Sequence, residues 1–157
     1  MTFIVLETPH VVVAAAIAVK VANPALAIPL ALGSHFILEK VPHWNPHWNT
    51  EKKKFGKVTK QTIILVLVDA GIAFVFGTYI AFLSLPNYVL AITILLSCLA
   101  GVLPDLIEAP YFFFDKKSRF INKWILFQKS IQVDTGVIPG LITQTLTVIA
   151  AVWWIFI

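Results

Sequence analysis

His35, Glu39 and His43 stand at i, i+4 and i+8 in the segment SHFILEKVPH. On a helix each such step drifts by only about 40°, so two imidazoles and a carboxylate share one face. Neutral imidazole and carboxylate are the ligands that zinc and manganese take. The spacing also suits a plainer role, a His35–Glu39 hydrogen bond that locks helix packing. Pro42 is expected to end the helix and let His43 turn back toward the other two.

Four more ionisable residues, His10, Asp69, Asp105 and Glu108, sit at or within apolar runs. A lone carboxylate in hydrocarbon costs several kcal/mol, so such groups face a partner, a cavity or a metal. Their depths agree. His35 precedes His43 by eight residues, Asp69 follows Lys60 by nine, and Asp105 precedes Asp115 by ten. At about 1.5 Å per residue, each lies roughly 12–15 Å from the same end of its helix. Pro104 removes one helical N–H and is expected to free a carbonyl beside Asp105. The shared level points to a metal or proton-handling site in one half of a membrane.

Holding these groups takes long apolar elements, and the composition supplies them. Of 157 residues, 59% are hydrophobic and 13% charged, about half the charge of an ordinary soluble domain. Five apolar stretches cover residues 9–23, 24–42, 60–85, 87–114 and 136–157. A crossing helix needs about 20 apolar residues, which the last three supply. The first two are marginal and make either two spans or a short hairpin. Thr8-Pro9 and Asn23-Pro24 read as N-cap and first-turn pairs, and Asp134-Thr135 reads as a cap before Gly136. The expected fold is one all-α integral membrane domain: about five transmembrane helices and one interfacial amphipathic helix.

All but Lys20 and Lys40 of the twelve basic residues fall at 52–60 and 116–129. With five passes both segments share a side with the N-terminus, and positive segments stay cytoplasmic. The expectation is a multi-pass protein of the inner or plasma membrane, N-terminus inside and C-terminus outside, with Trp153 and Trp154 in the outer aromatic belt. The first 22 residues lack the basic start of a cleavable signal and carry Glu7 and His10.

Residues 116–132 (KKSRFINKWILFQKSIQ) place Phe120, Trp124, Phe127 and Ile131 at helical spacing. This predicts a helix lying in the inner interface, with Lys116, Lys117, Arg119 and Lys123 against anionic lipid headgroups. In the repeat HWNPHWN, 43–49, the tryptophans suit an interfacial anchor, Asn-Pro a turn, and His47 an ordinary loop position. The net charge of +4 lies between apolar runs, which fits a membrane surface rather than nucleic acid. A single cysteine excludes a disulfide framework and a Cys-based zinc finger, and there is neither a Gly-rich phosphate loop nor a G-x-S-x-G elbow.

Thr8-Pro9-His10, the segment SHFILEKVPH and Leu103-Pro104-Asp105 together resemble the YdjM-like small inner-membrane proteins, described as membrane-bound metal-dependent hydrolases. Members commonly show a T-x-H start, an H-x-x-x-D-x-x-P-H helix end and an L-P-D-x-D-H-like segment. Here Glu39 replaces the aspartate, and Leu106-Ile107-Glu108 replaces the final D-H, leaving Glu108 as the ligand-capable group. The resemblance implies a divalent metal, zinc first and manganese second, held by His10, His35 and Asp105, with Glu39 and His43 completing the shell. Glu108 or Asp69 would be the general base for hydrolysis of an ester or a phosphoester, such as that of a lipid. Two other functions use the same residues: a proton-coupled or small-solute transporter, and a non-catalytic scaffold locked by a polar cluster.

Overall fold

The computed structural model of the chain describes residues 7–44 and 48–157. The expected loop position of His47, with Asn45 and Pro46, lies outside the described residues. The described chain is helical throughout, in eight helices: α1 Glu7–Val21, α2 Pro24–Leu38, α3 Trp48–Phe55, α4 Lys60–Leu83, α5 Tyr88–Leu106, α6 Ala109–Phe114, α7 Arg119–Ile131 and α8 Val137–Phe156.

Three of these, α4, α5 and α8, are long and apolar enough to cross a membrane. α1 and α2 have 15 residues each, about 22 Å of helix against a hydrocarbon core of about 30 Å. They form an antiparallel hairpin joined by Ala22 and Asn23 alone. Asn23 Oδ1 accepts the Ala25 N–H at 2.9 Å and Pro24 opens α2, so this cap stands as its dipeptide indicated. The fourth apolar stretch, by contrast, is not one helix. α5 carries Pro104 and stops at Leu106; Glu108 N–H turns back to Asp105 O, and α6 begins at Ala109.

α1 sits at the centre, packed on α2, α4, α5 and α8. Between His10 and Lys20 it is apolar on every face, as its central, largely buried position requires. Ala14, Ala15, Ala16 and Ala18 are fully buried, and such small side chains let helix backbones approach closely. A second cluster of Val58, Phe112 and Ile125 packs α6 and α7 over the end of α4 that bears Lys60. The first basic segment is also partly helical, as α3. There Glu51 accepts Thr59 N–H (2.9 Å) and Thr62 Oγ1–H (2.8 Å), while buried Lys52 reaches Tyr111 O and Asp115 (3.0 Å).

α7 starts three residues later than expected, because Ser118 caps it by accepting from Ile121 N–H and leaves Lys116 and Lys117 outside the helix, and Phe120, Leu126 and Phe127 are exposed. Its inward face is Ile125 and Gln128. Because the α5 helix has ended, Pro104 O is free to take the Trp124 Nε1–H at 2.9 Å, which fastens α7 across the end of α5.

Candidate metal centre

The site lies where the start of α1 meets the ends of α2 and α5. Helix N-termini leave N–H groups without intrahelical acceptors, and those of α1 are met from another helix. Asp69, nine residues into α4, accepts from Glu7 N and from the Thr8 hydroxyl. Thr8 is therefore not the cap expected of it; the helix starts earlier, and the carboxylate of Asp69 caps it. This holds the start of α1 deep in the bundle and sets the level of His10.

His35 is wholly buried. Its Nδ1 lies 2.9 Å from Gly101 O on α5, so Nδ1–H donates there and the Nε2 lone pair accepts from Gln128 Nε2 at 3.1 Å, a bond that a metal at Nε2 would replace. A backbone carbonyl fixing one imidazole nitrogen is the usual way a metal-binding histidine is oriented. Gly101 has a second task. A methyl at this position would lie 3.0 Å from Ala14 Cβ and 3.2 Å from His10 O, so α1 and α5 touch backbone to backbone there. The His10 ring stacks on His35 with centroids 4.4 Å apart.

Asp105 Oδ2 lies 3.8 Å from His35 Nδ1, and Oδ1 accepts from Gln128 Nε2 at 3.3 Å. One ligand atom each from His10, His35 and Asp105 falls within 4.8 Å of the other two. Donors around a tetrahedral zinc stand about 3.4 Å apart, so the three side chains must draw together by up to about 1.4 Å to share one ion. Two buried polar atoms of this trio, His10 Nδ1 and Asp105 Oδ2, have no hydrogen-bond partner. Buried polar atoms are almost always satisfied, and a cation would satisfy both. The donor set fits a divalent metal.

Glu39 and His43 stand beside the trio. Glu39 Oε1 is 3.5 Å from His10 Nε2 and 3.7 Å from His43 Nε2. Glu39 is the C-cap of α2 and His43 lies beyond the helix, so the expected single helical face ends at Glu39. His43 is instead placed by the backbone: its N–H donates to Val133 O, Thr135 N–H donates to its carbonyl, and it pairs with Asp134 in an isolated parallel bridge. Asp134-Thr135 serves that bridge; the N-cap of α8 is Gly136, with no side-chain cap bond.

The two candidate bases differ. Asp69 is occupied as the cap of α1. Glu108 lies in the α5–α6 turn, with Oε1 buried and unpartnered. Burial, and then the charge of Glu39, push its carboxyl up to about 7. Glu108, Glu39, Asp105 and Glu7 line one cavity of about 660 Å³.

Compared with protein-family models, with curated proteins and with solved structures, the chain matches none. What the site can do is set by its own geometry.

Sequence reasoning missed Gln128, Gly101 and Glu7. Gln128 is 6% exposed and faces both His35 Nε2, at 3.1 Å, and Asp105. Its one sequence signal is position: it follows Ile125 by three and Ile121 by seven, a polar amide on an otherwise apolar helical face.

Proposed function

We propose that this protein is a membrane-embedded metal-dependent hydrolase of an ester or phosphoester. The observation that carries the reading is the convergence of His10, His35 and Asp105 from three helices, with two otherwise unpartnered buried atoms among them. Two imidazoles and one carboxylate are the protein ligands of a common catalytic zinc site that keeps a position open. Zinc is the first expectation and manganese the second. When bound, such an ion lowers the pKa of a coordinated water and polarises an ester or phosphoryl oxygen. The chain's own residues supply the rest. His35 is oriented by Gly101 O, Glu39 holds His10 and His43, and Gln128 closes the site from α7. Glu108, with a carboxyl near neutrality, is placed to accept and return a proton. Asp69 holds α1 in position. The resemblance to the YdjM-like proteins falls on these same residues and supports the reading.

The proposed topology keeps both basic segments on the cytoplasmic side. The hairpin α1–α2 enters and returns on that side, while α4, α5 and α8 cross, which leaves the C-terminus outside. Lys116, Lys117, Arg119 and Lys123 then lie along the inner surface, next to anionic headgroups. A transporter using the same acids is less favoured, because the carboxylates of the cavity lining, Glu7, Glu39, Asp105 and Glu108, gather at the end formed by the start of α1 and the ends of α2 and α5, so no acidic relay continues through the other half.

Elemental analysis tests the metal, and hydrolysis of chromogenic carboxylate and phosphate esters tests the reaction. About one divalent ion per chain is expected, lost in Asp105→Asn and His35→Ala together with turnover. A purified protein that takes up no ion after dialysis against zinc would overturn the proposal.

A further inference from the structure

The cavity beside the site is longer than hydrolysis of a small ester requires. It runs from Glu39, Asp105, Glu108 and Gln128 into a trough between α4 and α5. On α4, Val66, Ala70, Ala73 and Gly77 recur at helical spacing and form one wall; Leu99 and Val102 of α5 form the other. At Gly77 the two helices approach closely, where a methyl would lie 3.2 Å from Cys98 Sγ. From Val66 to Gly77 is about 16 Å along the helix.

We infer that this trough is an acyl-chain channel, which takes one hydrocarbon chain of a membrane lipid and presents that lipid's polar linkage to the carboxylate end. The inference rests on the hydrolytic reading and names its substrate class. The walls decide the occupant. Past Val66 and Val102 the trough lining carries no acidic or basic residue, so it suits an uncharged chain, whereas its mouth carries Glu39, Asp105, Glu108 and Gln128. Phe74 and Leu99, on its two walls, are 72% and 51% exposed, so the trough opens sideways along helices long enough to cross a membrane. An alkyl chain of the bilayer reaches it there and needs no polar partner from these walls. At the mouth, Gln128 is 6% exposed and its Oε1 is buried without a partner. A lipid entering sideways between α4 and α5 meets the site with its chain already pointing along the bilayer normal. Apolar walls with few, convergent polar groups at one end are those of a ligand pocket.

The test uses the full chain in phosphatidylcholine vesicles, with a trace of phosphatidic acid carrying a diazirine midway along one acyl chain. After irradiation, adducts are mapped by mass spectrometry. The expected adducts concentrate at Ala70, Ala73, Leu99 and Val102. Ala70→Trp should fill the trough and lower them at least tenfold, with adducts at Phe82 and Val89 and the zinc content unchanged. Leu99→Trp, from the opposite wall, repeats the test if Ala70→Trp does not fold. Adducts spread evenly over the lipid-facing surface, or insensitive to both tryptophans, would overturn the channel. Trough-specific adducts in a protein that turns over no ester would support the channel and count against the hydrolytic reading alone.

Discussion

Gly101→Ala should separate metal binding from folding. An added methyl lies 3.0 Å from Ala14 Cβ and 3.2 Å from His10 O, whereas non-bonded carbons rest at about 3.5–4.0 Å. α1 must therefore move away from α5 by about 0.5 Å. Overpacking of this kind costs about 1–3 kcal/mol, and replacing a helical glycine returns up to about 1 kcal/mol. The net loss of stability is then about 0–2 kcal/mol, which a bundle of this size survives. The metal site has less latitude, since coordination distances hold within about 0.2 Å. His10 rides on α1 while His35 is tied to α5 through the Gly101 carbonyl, so the shift separates two of three ligands. Zinc affinity, measured in detergent by competition with a chelating dye, should fall at least about tenfold, or about 1.4 kcal/mol. Gly71→Ala is the control, because nothing lies within 4 Å of a methyl there; it should leave the affinity unchanged. If Gly101→Ala folds and binds zinc as tightly as the parent, the close contact does not position the ligands and the reasoning fails.

Asp69→Ala leaves the Glu7 N–H and the Thr8 hydroxyl of α1 without their acceptor, and loss of a helix cap costs about 1 kcal/mol; thermal unfolding in detergent measures it. Asp69→Asn retains an acceptor oxygen and should keep most of the activity, whereas a general base at this position would lose it. Glu108 titrates at about 7 in the folded protein against about 4.5 in the unfolded chain. Between those values the unfolded chain ionises while the folded one stays protonated, so stability falls as pH rises from about 4.5 to 7. Glu108→Gln should flatten that part of the unfolding profile, and an unchanged slope would remove Glu108 as its source. Lys57, exposed just before α4, should as cysteine react with an impermeant maleimide only from the cytoplasmic face; labelling from outside alone would invert the topology.

Much of the bundle was legible in the chain. Uninterrupted apolar length specified α4 and α8, because a helix in hydrocarbon must satisfy its own backbone. Asn23-Pro24 marked the start of α2, and the alternation of lysines with aromatics marked α7. The shared depth of His35, Asp69 and Asp105 was also readable, since rise per residue turns position into distance, whereas His10 was placed only at the start of its run on the same side. Boundaries that depend on neighbours were not. α1 begins before Pro9 because a carboxylate on another helix caps it, and the helix expected to run on through Pro104 breaks after Leu106.

The sequence by itself determined which groups lie at one level, but only the tertiary structure decided which of them meet. Helical spacing fixes the angle of each side chain about its own axis and says nothing of the rotation of one axis against the next. That rotation is set by packing: the backbone contact at Gly101, the two-residue turn at Ala22 and Asn23, and Trp124 fastened to Pro104. These contacts turn Glu39 to His10 rather than to His35. They bring His43 in through a bridge to Asp134, and they deliver Gln128 from a helix whose charges had marked it as surface. A local pattern carries no record of such contacts, because each joins residues far apart in the chain and depends on how closely two helices can approach.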